Sequence, residues 1–279
     1  MKKVLFIIIL TSEIIYSQVP DSLKGKWIPG LITGLGINQV SFNNWVKGGE
    51  SSISWTLYGN FKLENTTDIW TLKHQLKAVY GRAKIGESTY KTTENDLYME
   101  DVLTYNAGWA VNPYFSNSLR TQVTTGYDYK ITPAPVVSNF FDPGYITQTL
   151  GFGYNKINNV TTRLGIAIQE VITNKFNQYT DDLSTPDKKE KFKFETGIES
   201  VTDMNFNLDK NVMLTSKLRL FSRFESLDVW DIRWDNLLVA KFNNWLSVNF
   251  TYLLIYEKAQ SFKTQTKEAL QIGITYTIL

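Results

Sequence analysis

The residues ISWTLYGNFKL at 53–63 put Ile53, Trp55, Leu57, Phe61 and Leu63 on one side of an extended chain and Ser54, Thr56, Tyr58, Asn60 and Lys62 on the other, because strand side chains alternate with period two. The alternation returns about twelve times along the chain, at spacings of roughly 20 residues, with turn-forming residues between copies. It predicts strands over 30–41, 51–63, 68–82, 95–111, 114–131, 144–154, 160–172, 194–208 and 212–222. Three more carry Trp230 to Phe242, Leu246 to Tyr256 and Leu270 to Ile278. Every strand has one apolar and one polar face, so the medium that meets the apolar face decides the fold.

A chain of 279 residues suits one large barrel or sandwich. With 29 basic and 27 acidic residues, its charge gives no field that would gather nucleic acid. It has no cysteine, which excludes a disulfide scaffold, a thiolate metal site and a cysteine nucleophile. Lys2 and Lys3 precede the apolar run VLFIIIL, the pattern of a signal peptide over 1–17. A periplasmic segment over 18–28 and a barrel over 29–279 follow from that reading.

Three features assign the apolar face to lipid. Many segments exceed ten residues, as tilted membrane strands do and strands of soluble proteins seldom do. Short connections, such as 64–68, 155–159, 209–211 and 243–244, alternate with long ones at 83–93, 132–144 and 174–191, the arrangement of an outer-membrane barrel with short periplasmic turns and longer outer loops. Trp55, Trp70, Tyr80, Trp109, Phe115, Tyr129, Trp230, Phe242, Trp245 and Tyr256 lie toward segment ends, where aromatic girdles meet the membrane interfaces. The fold expected is an all-β, antiparallel, up-and-down transmembrane barrel of about twelve strands.

The other face then lines the lumen. In this register it carries Lys62, Lys73, Lys77, Arg120, Lys130, Arg163, Lys217, Arg219, Arg233 and Lys241 against Glu100, Asp128, Glu195, Glu199, Asp203, Asp231 and Asp235. Two uses fit such a face: ion pairs that hold and plug the barrel, or a conduction path. Arg120, Lys130, Arg219 and Arg233 facing Asp128, Glu199 and Asp231 are the candidate path.

The stretches FNNWVKGGESSIS (42–54), KTTENDLY (91–98), RTQVTTGYDY (120–129) and VSNFFDPGY (137–145), with the long run 217–257, resemble in order a family of outer-membrane β-barrels known only as a domain of unknown function. The resemblance implies a Gram-negative outer-membrane barrel and no particular substrate or reaction. The family's usual setting implies outer-membrane lipid and lipopolysaccharide around the wall, and periplasmic chaperones and the barrel-insertion machinery during assembly. Leu279 closes the chain where barrels commonly place an aromatic residue, with Tyr276 the nearest substitute.

No phosphate loop, H-E-x-x-H helix, calcium loop or nucleophile elbow is present, so no enzyme, cofactor or metal is expected. His74 and Asp101 fall on the lipid side of their strands, two misfits, with no serine placed beside the histidine. Asp181, Asp182 and Asp187 could suggest calcium, but Lys188, Lys189 and Lys191 make a solvated loop the better reading. TPAPVVSNFFDPG, with Asn139, Phe140, Phe141 and Pro143, is too apolar for an idle outer loop. It either folds inward to narrow the lumen, docks an envelope partner or lipopolysaccharide, or packs on the rim. Trp45, Gly48 and Gly49 form a second candidate lip. The leading functional expectation is a narrow porin-like channel for small hydrophilic solutes; the rival is a non-conducting structural or interaction barrel in an envelope assembly.

Overall fold

The computed structural model describes residues 21–278 apart from 45, 47, 183, 186 and 259–261; within these, side chains are described over 22–274. The signal peptide expected at 1–17, the candidate Trp45, the Tyr276 side chain and Leu279 lie outside the described residues.

The period-two segments become strands β1 (Trp27–Val40), β2 (Ser52–Thr66), β3 (Trp70–Ile85), β4 (Lys91–Tyr105), β5 (Asn112–Thr121), β6 (Gly126–Tyr127), β7 (Val136–Ser138) and β8 (Gly144–Ile157). They continue as β9 (Val160–Ile172), β10 (Phe192–Asp209), β11 (Val212–Arg223), β12 (Asp231–Lys241), β13 (Leu246–Tyr256) and β14 (Gln265–Ile278). Twelve of them close into one barrel in the order β1-β14-β13-β12-β11-β10-β9-β8-β5-β4-β3-β2, while β6 and β7 form a separate small hairpin. Every pairing is antiparallel, including β1 with β14, which closes the ring. Closure leaves no sheet edge with unpaired backbone groups.

Exposure separates the two faces. Leu57, Ile166 and Leu270, on the apolar face, are 50%, 62% and 63% exposed. Thr149, Ser247 and Glu199, on the polar face, are buried. A water-soluble domain does the reverse. Trp27, Trp70, Tyr105, Trp109, Phe242 and Trp245 ring the short-turn rim, with the Trp70 and Tyr105 rings 4.9 Å apart. Trp55 and Tyr80, 5.8 Å apart, stand on the wall nearer the long-loop rim. Ahead of β1, Lys24 pairs with Asp68 at 2.7 Å and the Gly25 carbonyl accepts a bond from the Asn65 amide, tying the N-terminal segment to the short-turn rim.

The barrel is pinched rather than round. Gly151 of β8 pairs in register with Gly165 of β9, and Gly36 of β1 with Gly273 of β14. These two pairs stand at opposite points of the ring. A side-chain carbon at Gly151 would collide with the Leu164 carbonyl, and one at Gly165 with the Leu150 carbonyl. Glycine in a strand commonly marks such a tight barrel corner. The corners leave β2–β5 as one wall and β10–β13 as the wall facing it.

One expected strand is shorter than the alternation suggests. The segment 114–131 breaks at Thr121, and Asp128, Tyr129, Lys130 and Ile131 belong to the loop that carries β6 and β7. Asp128 and Lys130 therefore do not line the lumen. The Asp128 carboxylate accepts the Lys130 backbone N–H, and the Tyr129 hydroxyl accepts the Thr92 backbone N–H at the top of β4. At its other end β5 begins at Asn112, two residues before the expected segment, and the connection from β4 runs over 106–111.

Replacing Gly165 by Val should overpack the β8/β9 corner and lower stability by about 1–3 kcal/mol. The loss of the heat-modifiable folded band on cold electrophoresis at a lower temperature than wild type measures it.

Candidate functional site: the ionic lumen

The inward face of β4 carries Glu94, Asp96, Tyr98 and Glu100 at alternate positions, and that of β11 carries Lys217, Arg219, Phe221 and Arg223. In a round barrel, strands so far apart in the ring would hold these groups well separated. Here they touch. One oxygen of Glu100 accepts a bond from Arg163 of β9 at 2.8 Å, and the other meets the Lys217 ammonium in a short ion pair. Asp203 of β10 completes the cluster, 3.1 Å from Arg163 and 3.5 Å from Lys217. The Tyr98 ring lies 5.0 Å from the Lys217 ammonium and 4.6 Å from the Arg120 guanidinium, and the Tyr114 ring 5.7 Å from Arg163. Cations over aromatic faces gain further stabilisation when desolvated.

A second network continues toward the long-loop rim. Glu199 accepts from Arg219 at 2.6 Å and from the Thr149 hydroxyl at 2.5 Å. Arg219 also donates to Gln169 at 2.9 Å, and Gln169 passes the chain on to Glu195 at 2.9 Å. Glu195 holds Arg223 at 2.7 Å and Lys193 at 2.6 Å, and Arg223 reaches Asp231 at 2.9 Å. Arg233 of β12 bonds Asp235 at 2.9 Å and lies 3.7 Å from Asp96 of β4, on the opposite wall. Toward the β1/β14 corner, Lys267 of β14 meets Glu94 of β4 at 2.7 Å, Asn249 donates to the Tyr58 hydroxyl and Gln271 to the Thr56 hydroxyl.

The expected lumen residues fare unequally. Lys73, Lys77, Arg120, Glu199, Arg219, Asp231 and Arg233 all face inward. Lys73 stands near the short-turn rim, 3.3 Å from Glu64 and half exposed. Glu100, Lys217 and Arg163 form the hub instead. Sequence register placed them on the inward face, but only the pinch brings them together. Arg223 was missed because its strand was ended one residue early; its phase with Lys217 and Arg219 was the available signal. Between Tyr98, Arg120, Tyr145, Arg219, Asp231 and Arg233 lies a cavity of about 110 Å³ toward the long-loop rim, onto which Arg120 and Asp231 bring buried polar atoms (Nη1 and Oδ1) without a protein hydrogen-bond partner.

The two mouth candidates stay at the rim. No residue of 122–143 lines that cavity. Thr121 holds the loop by accepting the Phe141 backbone N–H at 2.7 Å and donating to the Pro143 carbonyl at 3.1 Å. Asn139 caps the Phe140 N–H, and Phe140 itself is 59% exposed. Asp142 accepts the backbone N–H groups of Asn174, Lys175 and Phe176, locking this loop to the next. Gly48 and Gly49 have φ of 82° and 113°, and the Phe42 ring packs on Gly49. In the loop 173–191, Asp182 is held below the ordinary carboxylate range by the Ser184 backbone N–H and then its hydroxyl, and Glu190 chiefly by the Asp182 N–H. Asp182 and Glu190 thus serve the loop's own turns, and no group of three potential metal ligands forms among the described residues.

His74 and Asp101 do face outward, and they face each other. They are register partners on β3 and β4, Nδ1 lies 2.5 Å from Oδ1, and the Trp27 ring sits 5.8 Å from the imidazole. No bulge shifts the strand there; the irregularity of β3 falls between Gly81 and Arg82.

Fold and lumen define a closed, twelve-stranded antiparallel barrel with an apolar exterior and an ionic interior. Residues 37–127 match the model of a family described as a protein of unknown function (DUF3078). The match takes in the first two motif stretches and most of the third, so the resemblance to a family of unknown function is met there. No curated protein matches the sequence. Among solved structures, the chain is similar to the translocator domain of the autotransporter NalP from Neisseria meningitidis, at 10% identity and TM-score 0.36, over 92% of this chain and 91% of that one. It is also similar to the COG4313 outer membrane channel from Pseudomonas putida F1, at 12% identity and TM-score 0.38, over 94% and 97%. The strand count and closure stand on the hydrogen-bonded ladders themselves.

Glu100→Gln should leave Lys217 and Arg163 facing each other with half their compensation, and breaking one partner of a buried pair costs about 3–5 kcal/mol. Thermal unfolding in detergent should shift down markedly, whereas Lys73→Ala at the exposed rim pair should shift it little.

Proposed function

We propose that this chain is an outer-membrane β-barrel whose lumen is shut by side chains, and that it acts as a structural or interaction subunit of the envelope, not as an open pore. The outward apolar face and its aromatic rims support the membrane assignment, since hydrocarbon accepts that face and rejects charge. The observation that carries the closed state is the bridge between opposite walls: Glu100 on Lys217 and Arg163, with Asp96 near Arg233. A freely conducting lumen would leave such groups solvated and apart.

The porin-like reading keeps one observation in its favour. The arginine-lined cavity lies at the long-loop end of the lumen, where a solute from outside would enter. In that reading the cavity is a vestibule and the Glu100 bridge a gate.

Planar-bilayer recording of the refolded protein separates the two. Wild type should give no stepwise current, and the double variant Glu100→Ala with Lys217→Ala, which removes the bridge without stranding a charge between those two positions, should conduct. Regular ohmic steps from wild type would overturn the closed-barrel reading.

A further inference from the structure

The outer wall carries a polar row that its surroundings do not explain. His74, Asp101, Asn117 and Gln148 are successive register partners across β3, β4, β5 and β8. All four point away from the lumen. Each is flanked along its own strand by apolar neighbours: Leu72 and Leu76, Met99 and Leu103, Phe115 and Leu119, Ile146 and Leu150. With strands ~4.8 Å apart, the row is about 15 Å wide.

The members are satisfied unequally. His74 and Asp101 bond each other. Asn117 and Gln148 make no side-chain hydrogen bond among the described residues. Several other polar groups of the outer wall pair locally: Asn236 with Ser216 at 2.8 Å, the Trp234 indole with the same hydroxyl at 2.8 Å, and Thr162 with Thr202 at 3.0 Å. An unpaired amide against hydrocarbon is unfavourable, because lipid offers neither donor nor acceptor.

We infer that this face, β3–β4–β5–β8, is where a second copy of the chain docks in the membrane. The inference rests on the outer-membrane reading above. Two copies in one membrane share an orientation, so the twofold axis relating them runs along the membrane normal, and the contact is self-complementary. With that axis at Asn117, the amide meets its own counterpart. An amide carries both an acceptor oxygen and a donor NH2, so two of them satisfy each other. His74 and Asp101 remain a compensated pair within each copy, so no like charges are forced together. Phe115 and Leu150, 46% and 67% exposed, supply apolar contact beside the row.

The absence of cysteine makes the test clean, since Asn117→Cys introduces the sole thiol. The full chain is refolded into phosphatidylcholine vesicles and oxidised with copper phenanthroline. Asn117→Cys should form a disulfide-linked dimer, and Leu270→Cys, on β14 away from the row, should stay monomeric. Asn117→Leu with Gln148→Leu, which favours lipid over a partner, should weaken the dimer at least tenfold in sedimentation in detergent. Folding of each variant is checked by heat-modifiable mobility, and quenching by brominated lipid, with a fluorophore on the Leu270→Cys thiol, reports whether the wall meets lipid. A folded, lipid-quenched barrel that stays monomeric in both assays, or a dimer that the double leucine variant leaves intact, overturns the docking face while the membrane reading stands. A fluorophore that lipid does not quench removes the membrane reading, and with it this inference.

Discussion

The contact on which the lumen depends is Glu100 held between Arg163 and Lys217. Three strands far apart in sequence deliver these groups, and none could be buried alone. A lone carboxylate or ammonium there would face a desolvation penalty of several kcal/mol. Together, with Asp203 beside them and Tyr98 and Tyr114 beneath the cations, each charge meets an opposite one, although Arg163 Nη1 makes no hydrogen bond. The two glycine pairs at opposite corners make the meeting possible, since they let the ring turn sharply and bring its long walls close. Backbone corners and lumen charge are thus one design: without the pinch the ions separate, and without the ions the pinched walls would press unmatched charges together.

The exterior follows the opposite rule. Its side chains are mostly apolar and exposed, and several of the polar ones among them find partners within the wall, as His74 does in Asp101 and Ser216 in Asn236 and Trp234. The inside is where an ordinary protein would keep its surface, and the outside is where it would keep its core. The rims complete the arrangement. Aromatic rings collect at the short turns, while two of the long loops lock to one another through Asp142.

Strand identity was legible wherever one face was uniformly apolar. The segments 160–172 and 246–256 match β9 and β13 residue for residue, and the predicted twelve strands all appear in the barrel. The alternation misled at 122–131, where Tyr127, Tyr129 and Ile131 continue the phase of β5 but belong to a loop in which the Tyr127 and Tyr129 rings stack and the Tyr129 hydroxyl accepts the Thr92 N–H at the top of β4. Periodicity reports which residues share a face, not whether the chain stays in the sheet. The same limit governs the site. Register assigned Glu100, Arg163, Lys217 and Asp203 to the lumen, yet it fixes only lateral neighbours, and contact across the lumen depends on how strongly the ring is flattened. Gly36, Gly151, Gly165 and Gly273 carried that information, but a glycine in a strand pattern reads as a bulge, a corner or mere tolerance until its partner strand is known.

The central claim is that opposite walls of the barrel touch through Glu100. Its most direct test is the dipolar coupling between carbon-13 at the Glu100 carboxyl and nitrogen-15 at the Lys217 ammonium, measured by solid-state magnetic resonance on the protein in lipid bilayers at neutral pH. Strong dephasing between those two sites, abolished by Lys217→Met, is the predicted result. A Glu100 carboxyl that shows no coupling to the Lys217 nitrogen in a folded, membrane-embedded barrel would mean that the walls stand apart and the lumen is open.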